Sequence, residues 1–358
     1  MPQTAAPVLL LGSCPGDDAE HVMRTLAGGI GDLVPAVPDG ERDDRRYWVN
    51  FLAYRVYSEH EALDTMRRPR AVAGKEEWIP SGYDDFWRFR AKNGVTAVTF
   101  GPLGYARHAR SSYDVFRRLR EQGVVPDGAR FQVCLPLTES GTRIFMADER
   151  TFDLVWQGYQ DAMRREIAEI SDVIPSSDLL VQWDVCIEVL AVATGDRDGV
   201  MLTWQPSSDP FDRYQHALAA LAPAVPGPVP VGLHLCYGDL YKRHLVEPED
   251  LAMVTRMANT AVTAAGRRID YVHFPVPVAR DDEAYFAPLA ELSIGDAALY
   301  AGLIHDSDGV AGCLRRLAAL RRHYPGRLGV ATECGFGGRP TGSIPDLLAL
   351  HRTVAEEI

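Results

Sequence analysis

A histidine and a cysteine stand two positions apart at the end of an apolar run, in Gly232-Leu233-His234-Leu235-Cys236-Tyr237-Gly238-Asp239. Side chains alternate faces along an extended strand, so His234 and Cys236 point the same way and can chelate one ion. Another apolar run ends in Ala331-Thr332-Glu333-Cys334-Gly335-Phe336-Gly337-Gly338, where glycines let the backbone turn tightly behind Cys334. Two thiolates and an imidazole form a donor set that zinc favours, and a catalytic zinc keeps its fourth position open for water or substrate. A substrate thiol held there would lose its proton near neutral pH and become a nucleophile. The competing reading makes His234 a hydrogen-bonded core histidine and the cysteines buried small hydrophobes. Each motif alone favours that reading, and the two together at strand ends reverse it.

The elements that must position these groups are eight apolar runs of strand length, at 8–11, 97–100, 130–135, 179–183, 229–235, 271–274, 300–304 and 328–331. Helical periodicity fills the spaces between them, most clearly at 112–121, 149–170, 212–221, 248–265, 310–323 and 345–357. This alternation predicts a single (β/α)8 TIM barrel over residues 1–358, with the ends of its fifth and eighth strands at one mouth. An open doubly wound sheet shares the pattern. An irregular, charged and aromatic excursion around 30–95, with Trp48, Trp78 and Trp87, is expected to cover one end of the barrel.

Composition narrows the partners. A net charge of −12 without a basic stripe argues against nucleic acid. The start of the chain has no basic segment, and no run of about 18 apolar residues occurs, so a soluble cytoplasmic protein is expected with no membrane partner. Six cysteines spread over 358 residues do not form a dense disulfide framework and read as reduced thiols.

His234-Leu235-Cys236 with the later Glu333-Cys334-Gly335-Phe336 resembles the zinc-binding pattern of the cobalamin-independent methionine synthase superfamily, whose catalytic domain is a (β/α)8 barrel related to that of uroporphyrinogen decarboxylase. The resemblance implies further roles. Leu11-Gly12-Ser13 matches a first-strand segment that contacts the amino acid thiol. Gln182-Trp183-Asp184 matches a strand end whose aspartate holds the substrate ammonium, and Glu41 matches a second ammonium-binding carboxylate. Leu303-Ile304-His305 matches a segment whose histidine is a proton donor. The implied catalytic residues are therefore His305 and Asp184, the cofactor is zinc, and the reaction is transfer of a methyl or other alkyl group to a small thiol such as homocysteine.

Two departures matter. The family completes its zinc site with a glutamate at the end of the sixth strand, where this chain reads Asp270-Tyr271-Val272-His273-Phe274-Pro275. His273 shares strand parity with that position and is the candidate replacement ligand. The third run also lacks the tryptophan that helps hold folate, which argues against a folate donor and leaves others, a corrinoid protein among them. Short relatives include methionine synthases supplied by corrinoid proteins and zinc enzymes that add thiols to epoxides. Two other readings stay open: a lyase or decarboxylase on the same barrel, with His273, His305 and Asp184 in acid–base roles and metal structural or absent, and a thiol sensor without turnover. Tyr105, Tyr237 and Phe336 are candidates for lining an apolar substrate pocket, or for packing.

Overall fold

The protein is described here from a computed structural model covering residues 7–197, 199–239 and 243–358. Among the described residues, nine strands form: β1 (Ala36–Pro38), β2 (Leu63–Arg67), β3 (Arg88–Ala91), β4 (Arg130–Pro136), β5 (Leu179–Val185), β6 (Val231–Leu235), β7 (Tyr271–Pro275), β8 (Ala298–Ile304) and β9 (Leu328–Thr332). Seven are parallel neighbours in the order β1-β4-β5-β6-β7-β8-β9, while β2 and β3 pair antiparallel as a separate hairpin. The segment from Pro7 to Cys14 joins the two edges. Val8 bridges Val330 of β9, Ser13 bridges Gly40 beyond β1, and the Leu9 and Cys14 amides donate to Val330 and Gly40 at 2.9 and 3.1 Å. The barrel closes with eight strand positions, as expected.

Strand residues of one parity face the barrel axis, where Leu9, Leu11, Ala36, Leu180, Tyr271, Ala298, Tyr300 and Ala331 make a small core of their own. The opposite parity packs under the surrounding helices. Two glycines shape the interior. A Cβ on Gly232 would fall 2.0 Å from the Tyr271 ring, its register partner, and one on Gly329 would fall 2.4 Å from the Tyr300 ring, also its register partner. Each glycine thus clears space for a cross-strand tyrosine, and the two rings meet edge-on with centroids 5.6 Å apart. They fill the floor beneath the reactive mouth.

The second barrel strand is not where the apolar pattern placed it. Residues 97–100 are irregular, and β1 takes that position from within the excursion. Three residues are too few for a periodicity signal to declare itself. The remaining excursion folds as short helical turns over residues 43–57 and the β2–β3 hairpin. Aromatic packing holds it: Tyr54 stacks on Trp78 at 5.4 Å, and the Trp87 indole donates to the Trp78 carbonyl at 3.0 Å. Tyr57 donates to the Gly141 carbonyl at 2.7 Å and Arg88 to that of Met201 at 2.9 Å, tying the roof to the barrel.

Several helices begin where the sequence supplies a cap. The Asp18, Asp148 and Asp209 side chains accept from first-turn amides of Ala19–Ile30, Glu149–Val173 and Pro210–Leu221. The helix expected from residue 248 instead spans Ala252–Ala264, with Asp250 accepting from the Ala252 amide at 2.8 Å. No helix among the described residues is long and apolar enough to cross a membrane.

Candidate metal centre and its cavity

His234 lies near the C-terminal end of β6, Cys236 just past that end, and Cys334 two residues past β9. The two sulfurs are 3.7 Å apart, the Cys334 sulfur is 3.8 Å from His234 Nε2, and all three donor atoms lie within 4.8 Å of one another. Metal–sulfur bonds of about 2.3 Å at tetrahedral angles imply a sulfur–sulfur edge of roughly 3.8 Å, so the backbone already holds the pair at chelating distance. The Cys334 thiol is pushed well up by its hydrogen bond with Cys236 and by burial, and the Cys236 thiol by its contact with Cys186 and by burial. A bound cation would reverse that preference and deprotonate both.

His273 stands directly opposite His234 in the β6–β7 register. Its Nε2 lies 3.1 Å from the Thr332 carbonyl and its Nδ1 lies 2.8 Å from His234 Nδ1. A carbonyl can only accept, so His273 Nε2 carries a proton. Burial lowers the pKa of His234 to about 3 and that of His273 well below the ordinary imidazole range, the latter also disfavoured by its histidine neighbour, so both rings are neutral. His273 Nδ1 must then accept from His234 Nδ1–H. The chain of donors leaves the lone pair of His234 on Nε2, the atom facing Cys334. His273, the candidate replacement for the missing glutamate, is not among the residues whose donor atoms gather with those of Cys236 and Cys334. Both of its nitrogens are engaged, one by His234 and the other by the Thr332 carbonyl.

The carboxylates assigned by resemblance also converge. Glu41, Asp184 and Cys134 offer donor atoms within 4.8 Å of one another. Asp184 accepts from Gln182 Nε2 at 2.9 Å and from the Trp48 side chain, while burial raises its pKa to about 7. Glu41 is raised well above the ordinary range by burial and by Asp184. Arg45 offsets only part of this, so the two buried carboxyls share a proton at neutral pH, and an ammonium would replace it. Glu41 reaches this place through a turn at positive φ, 53°, in which its amide donates to Asp39 Oδ1 at 2.9 Å. Asp39 is itself fixed by Arg45 and Ser112. Gly12, at φ +102°, backs onto this pair, and a Cβ there would come 2.8 Å from the Cys134 sulfur.

A cavity of about 320 Å³ joins the two halves: Glu41 and Asp184 line it together with His234, Cys236 and Cys334, and Leu11 and Ser13 form part of its wall. Its roof comes from the excursion through Trp48, Ile79, Tyr83 and Phe86. Trp48 adopts φ +51°, ψ −126°, a strained conformation for a non-glycine residue, while its indole reaches Asp184. Tyr105, Tyr237 and Phe336 do not line the cavity. Tyr105 packs on Phe51 and Phe336 on His351. The pocket aromatics instead come from the segment whose irregularity hid its purpose.

His305 is buried outside the cavity wall. Its Nε2 donates to the Val276 carbonyl at 2.8 Å, and its Nδ1 lies 3.5 Å from Glu333. Glu333, next to Cys334, also approaches His244 Nε2 at 3.3 Å, and burial with Asp239 and Glu247 nearby raises its carboxyl to about 8. The sequence reading missed His244, whose loop carries no motif. Glu188 accepts from the Glu139 and Ser140 amides and the Ser140 hydroxyl and supports a helical turn.

Fold and site together define a (β/α)8 barrel with a cluster of soft donors that could hold a metal ion and a carboxylate pair at its C-terminal mouth. Among solved structures, it is similar to a B12-independent methionine synthase from Shewanella sp. W3-18-1 in complex with selenomethionine, with a TM-score of 0.62 over 99% of this chain and 97% of that one at 13% identity. It is also similar to a putative vitamin-B12-independent methionine synthase from Listeria monocytogenes, with a TM-score of 0.54 over 95% and 86% of the two chains at 12% identity. The chain thus shares the fold of these two structures. No family model and no curated protein sequence matches the chain.

Proposed function

We propose that this protein transfers a methyl or other alkyl group to the sulfur of a small amino acid thiol such as homocysteine. The observation that carries the reading is that one cavity is lined both by a carboxylate pair suited to an ammonium and by a His-Cys-Cys trio suited to a thiol-activating metal. Glu41 and Asp184 hold the amino group. Leu11, Gly12 and Ser13 shape the first-strand wall beside it, with Ser13 Oγ accepting from the Gly337 amide at 3.3 Å. His234, Cys236 and Cys334 would hold zinc, which when bound supplies the Lewis acidity that keeps a substrate thiol deprotonated near neutral pH. His273 fixes the binding tautomer of His234. The roof excludes water from the sulfur. His305 exchanges protons with the site through Glu333.

A cavity of about 320 Å³ sits at the lower end of ligand pockets and suits an amino acid thiol with a small alkyl group better than the same thiol with a folate. The proposed donor is therefore not a folate, and a methylated corrinoid protein fits because its cofactor need not enter whole. The acid–base lyase alternative finds less support, since His273 has both nitrogens engaged and His305 lies outside the cavity wall.

Elemental analysis of protein purified with zinc present tests the reading. Wild type should carry close to one zinc per chain, and Cys236→Ser and Cys334→Ser should each lose it. Wild type without metal would overturn the proposal.

A further inference from the structure

Beneath the carboxylate pair lies an amide that does not line the cavity. Gln182 of β5 is fully buried. Its Nε2 donates to Asp184 Oδ1 at 2.9 Å and to the Cys134 sulfur at 3.5 Å. Its Oε1 accepts from Gln132 Nε2 and from the Tyr271 hydroxyl, each at 3.0 Å. All four hydrogen-bonding positions of this amide are therefore filled. Its orientation is set from further away. Gln132 Nε2 also donates to the Leu10 carbonyl at 2.9 Å, and a carbonyl only accepts, so Gln132 presents its amino group. The atom of Gln182 that meets it must be the oxygen, which turns the amino group of Gln182 to Asp184. A flipped amide would set an amino group against two donors and a carbonyl against a carboxylate.

Tyr271 reaches Gln182 from two strands away. In the parallel register Gln182 stands opposite Gly232 of β6, and Gly232 stands opposite Tyr271 of β7. The phenol crosses the intervening strand because position 232 has no side chain: a Cβ there would fall 2.0 Å from the ring carbon that bears the hydroxyl. The row Gln182, Gly232, Tyr271 is one device spread over three strands. Polar groups cost free energy to bury, and packing alone would be met by phenylalanine at 271 and leucine at 132 and 182.

We propose that Tyr271 and Gln132 are positioning residues for recognition of the substrate amino group: through Gln182 they hold Asp184 in the orientation that presents its carboxylate to the cavity. The inference rests on the reading of Glu41 and Asp184 as an ammonium clamp. A carboxylate already held from below loses less freedom when the ligand arrives, so more of the interaction appears as affinity. Neither Tyr271 nor Gln132 lines the cavity, so both act without touching the ligand.

The test is calorimetric titration of zinc-loaded wild type, Tyr271→Phe and Gln132→Leu, with each change also made on a Gln182→Leu background. Far-UV circular dichroism and zinc content confirm the fold of each variant. The probes are methionine and its analogue without the amino group, 4-(methylthio)butanoate. Each single change should weaken methionine binding about 3- to 10-fold and alter binding of the analogue by less than about twofold. On the Gln182→Leu background the same changes should alter methionine binding by less than about twofold, because the residue they act through is gone. A loss of methionine affinity below about threefold in either single variant, equal losses for the two probes, or full losses repeated on Gln182→Leu would each overturn the inference. Should Gln182→Leu not fold, the selectivity of Tyr271→Phe, which keeps the ring over Gly232, decides by itself. Wild type that binds methionine no more tightly than the analogue would instead remove the ammonium clamp, and this inference with it.

Discussion

Replacing Asp184 by Asn tests the ammonium half of the site without touching the metal half. In the free protein Asp184 titrates at about 7 because it is buried, and Glu41 is raised well above the ordinary carboxylate range by burial and by Asp184. The pair therefore holds a proton at neutral pH, and a ligand ammonium must displace it. Below about pH 7 affinity for an amino acid should fall by up to about tenfold per pH unit, because each binding event then releases a proton. Above that value it should level off until the ligand loses its own ammonium charge. Asn keeps the shape and can still accept from Gln182 and Trp48, but it carries no charge at any pH.

A hydrogen bond to a charged group contributes about 1.5–3 kcal/mol, so Asp184→Asn should weaken methionine binding about 10- to 150-fold and flatten the pH dependence. Isothermal titration calorimetry on zinc-loaded protein measures both, and buffers of different ionisation enthalpy report the released proton. Methionine is a suitable probe because a structural neighbour was captured with its selenium analogue. The control is 4-(methylthio)butanoate, which lacks the amino group: wild type should bind it weakly, and the substitution should change that by less than about threefold. An Asp184→Asn protein that binds methionine within threefold of wild type refutes the ammonium clamp. Equal losses for both ligands would refute it too, since the effect would then be on pocket shape.

The same substitution should stabilise the fold in a defined pH window. The Asp184 carboxyl titrates at about 7 when folded against about 3.9 unfolded, so the folded chain holds the proton more tightly and wild type loses stability as pH rises between those values. Thermal unfolding at pH 5 and pH 8 should show the advantage of Asp184→Asn growing with pH, and a constant or shrinking difference contradicts the assigned burial. His273→Leu removes the acceptor that fixes His234 but no ligand, so zinc affinity in chelator competition should fall about 10- to 100-fold with one-to-one binding retained at saturation. Complete loss of zinc would make His273 a ligand after all. Gly232→Ala places a methyl 2.0 Å from the Tyr271 ring and should destabilise the protein by about 1–3 kcal/mol in denaturant titration. An unchanged midpoint would show that the barrel floor repacks freely.

What the sequence made legible follows from the range of the interactions involved. His234 and Cys236 were readable because strand parity is local, and Cys334 because glycines follow it. Once the barrel is assumed, the fifth and eighth strands must share a mouth, so the trio needed no further coordinate. The helices were readable where their apolar face repeats over several turns, as in Glu149–Val173. β1 was not, because three residues carry no period and its place is set by pairing with β4. The roof was seen as a charged, aromatic stretch, but its inward aromatics depend on tertiary docking through contacts such as Arg88 to Met201.

His273 shows the limit most clearly. Parity correctly predicted that it faces the barrel interior, on the same side as His234. It could not give the register that sets the two histidines opposite one another, nor the Thr332 carbonyl that takes the second nitrogen. A one-residue shift of β7 against β6 would turn that imidazole out of the barrel interior, and the pairing in place sets it against His234 instead. The same register puts Pro275, which has no donor, at the mouth, so a fourth ligand to a bound metal would have to come from another strand or from the substrate.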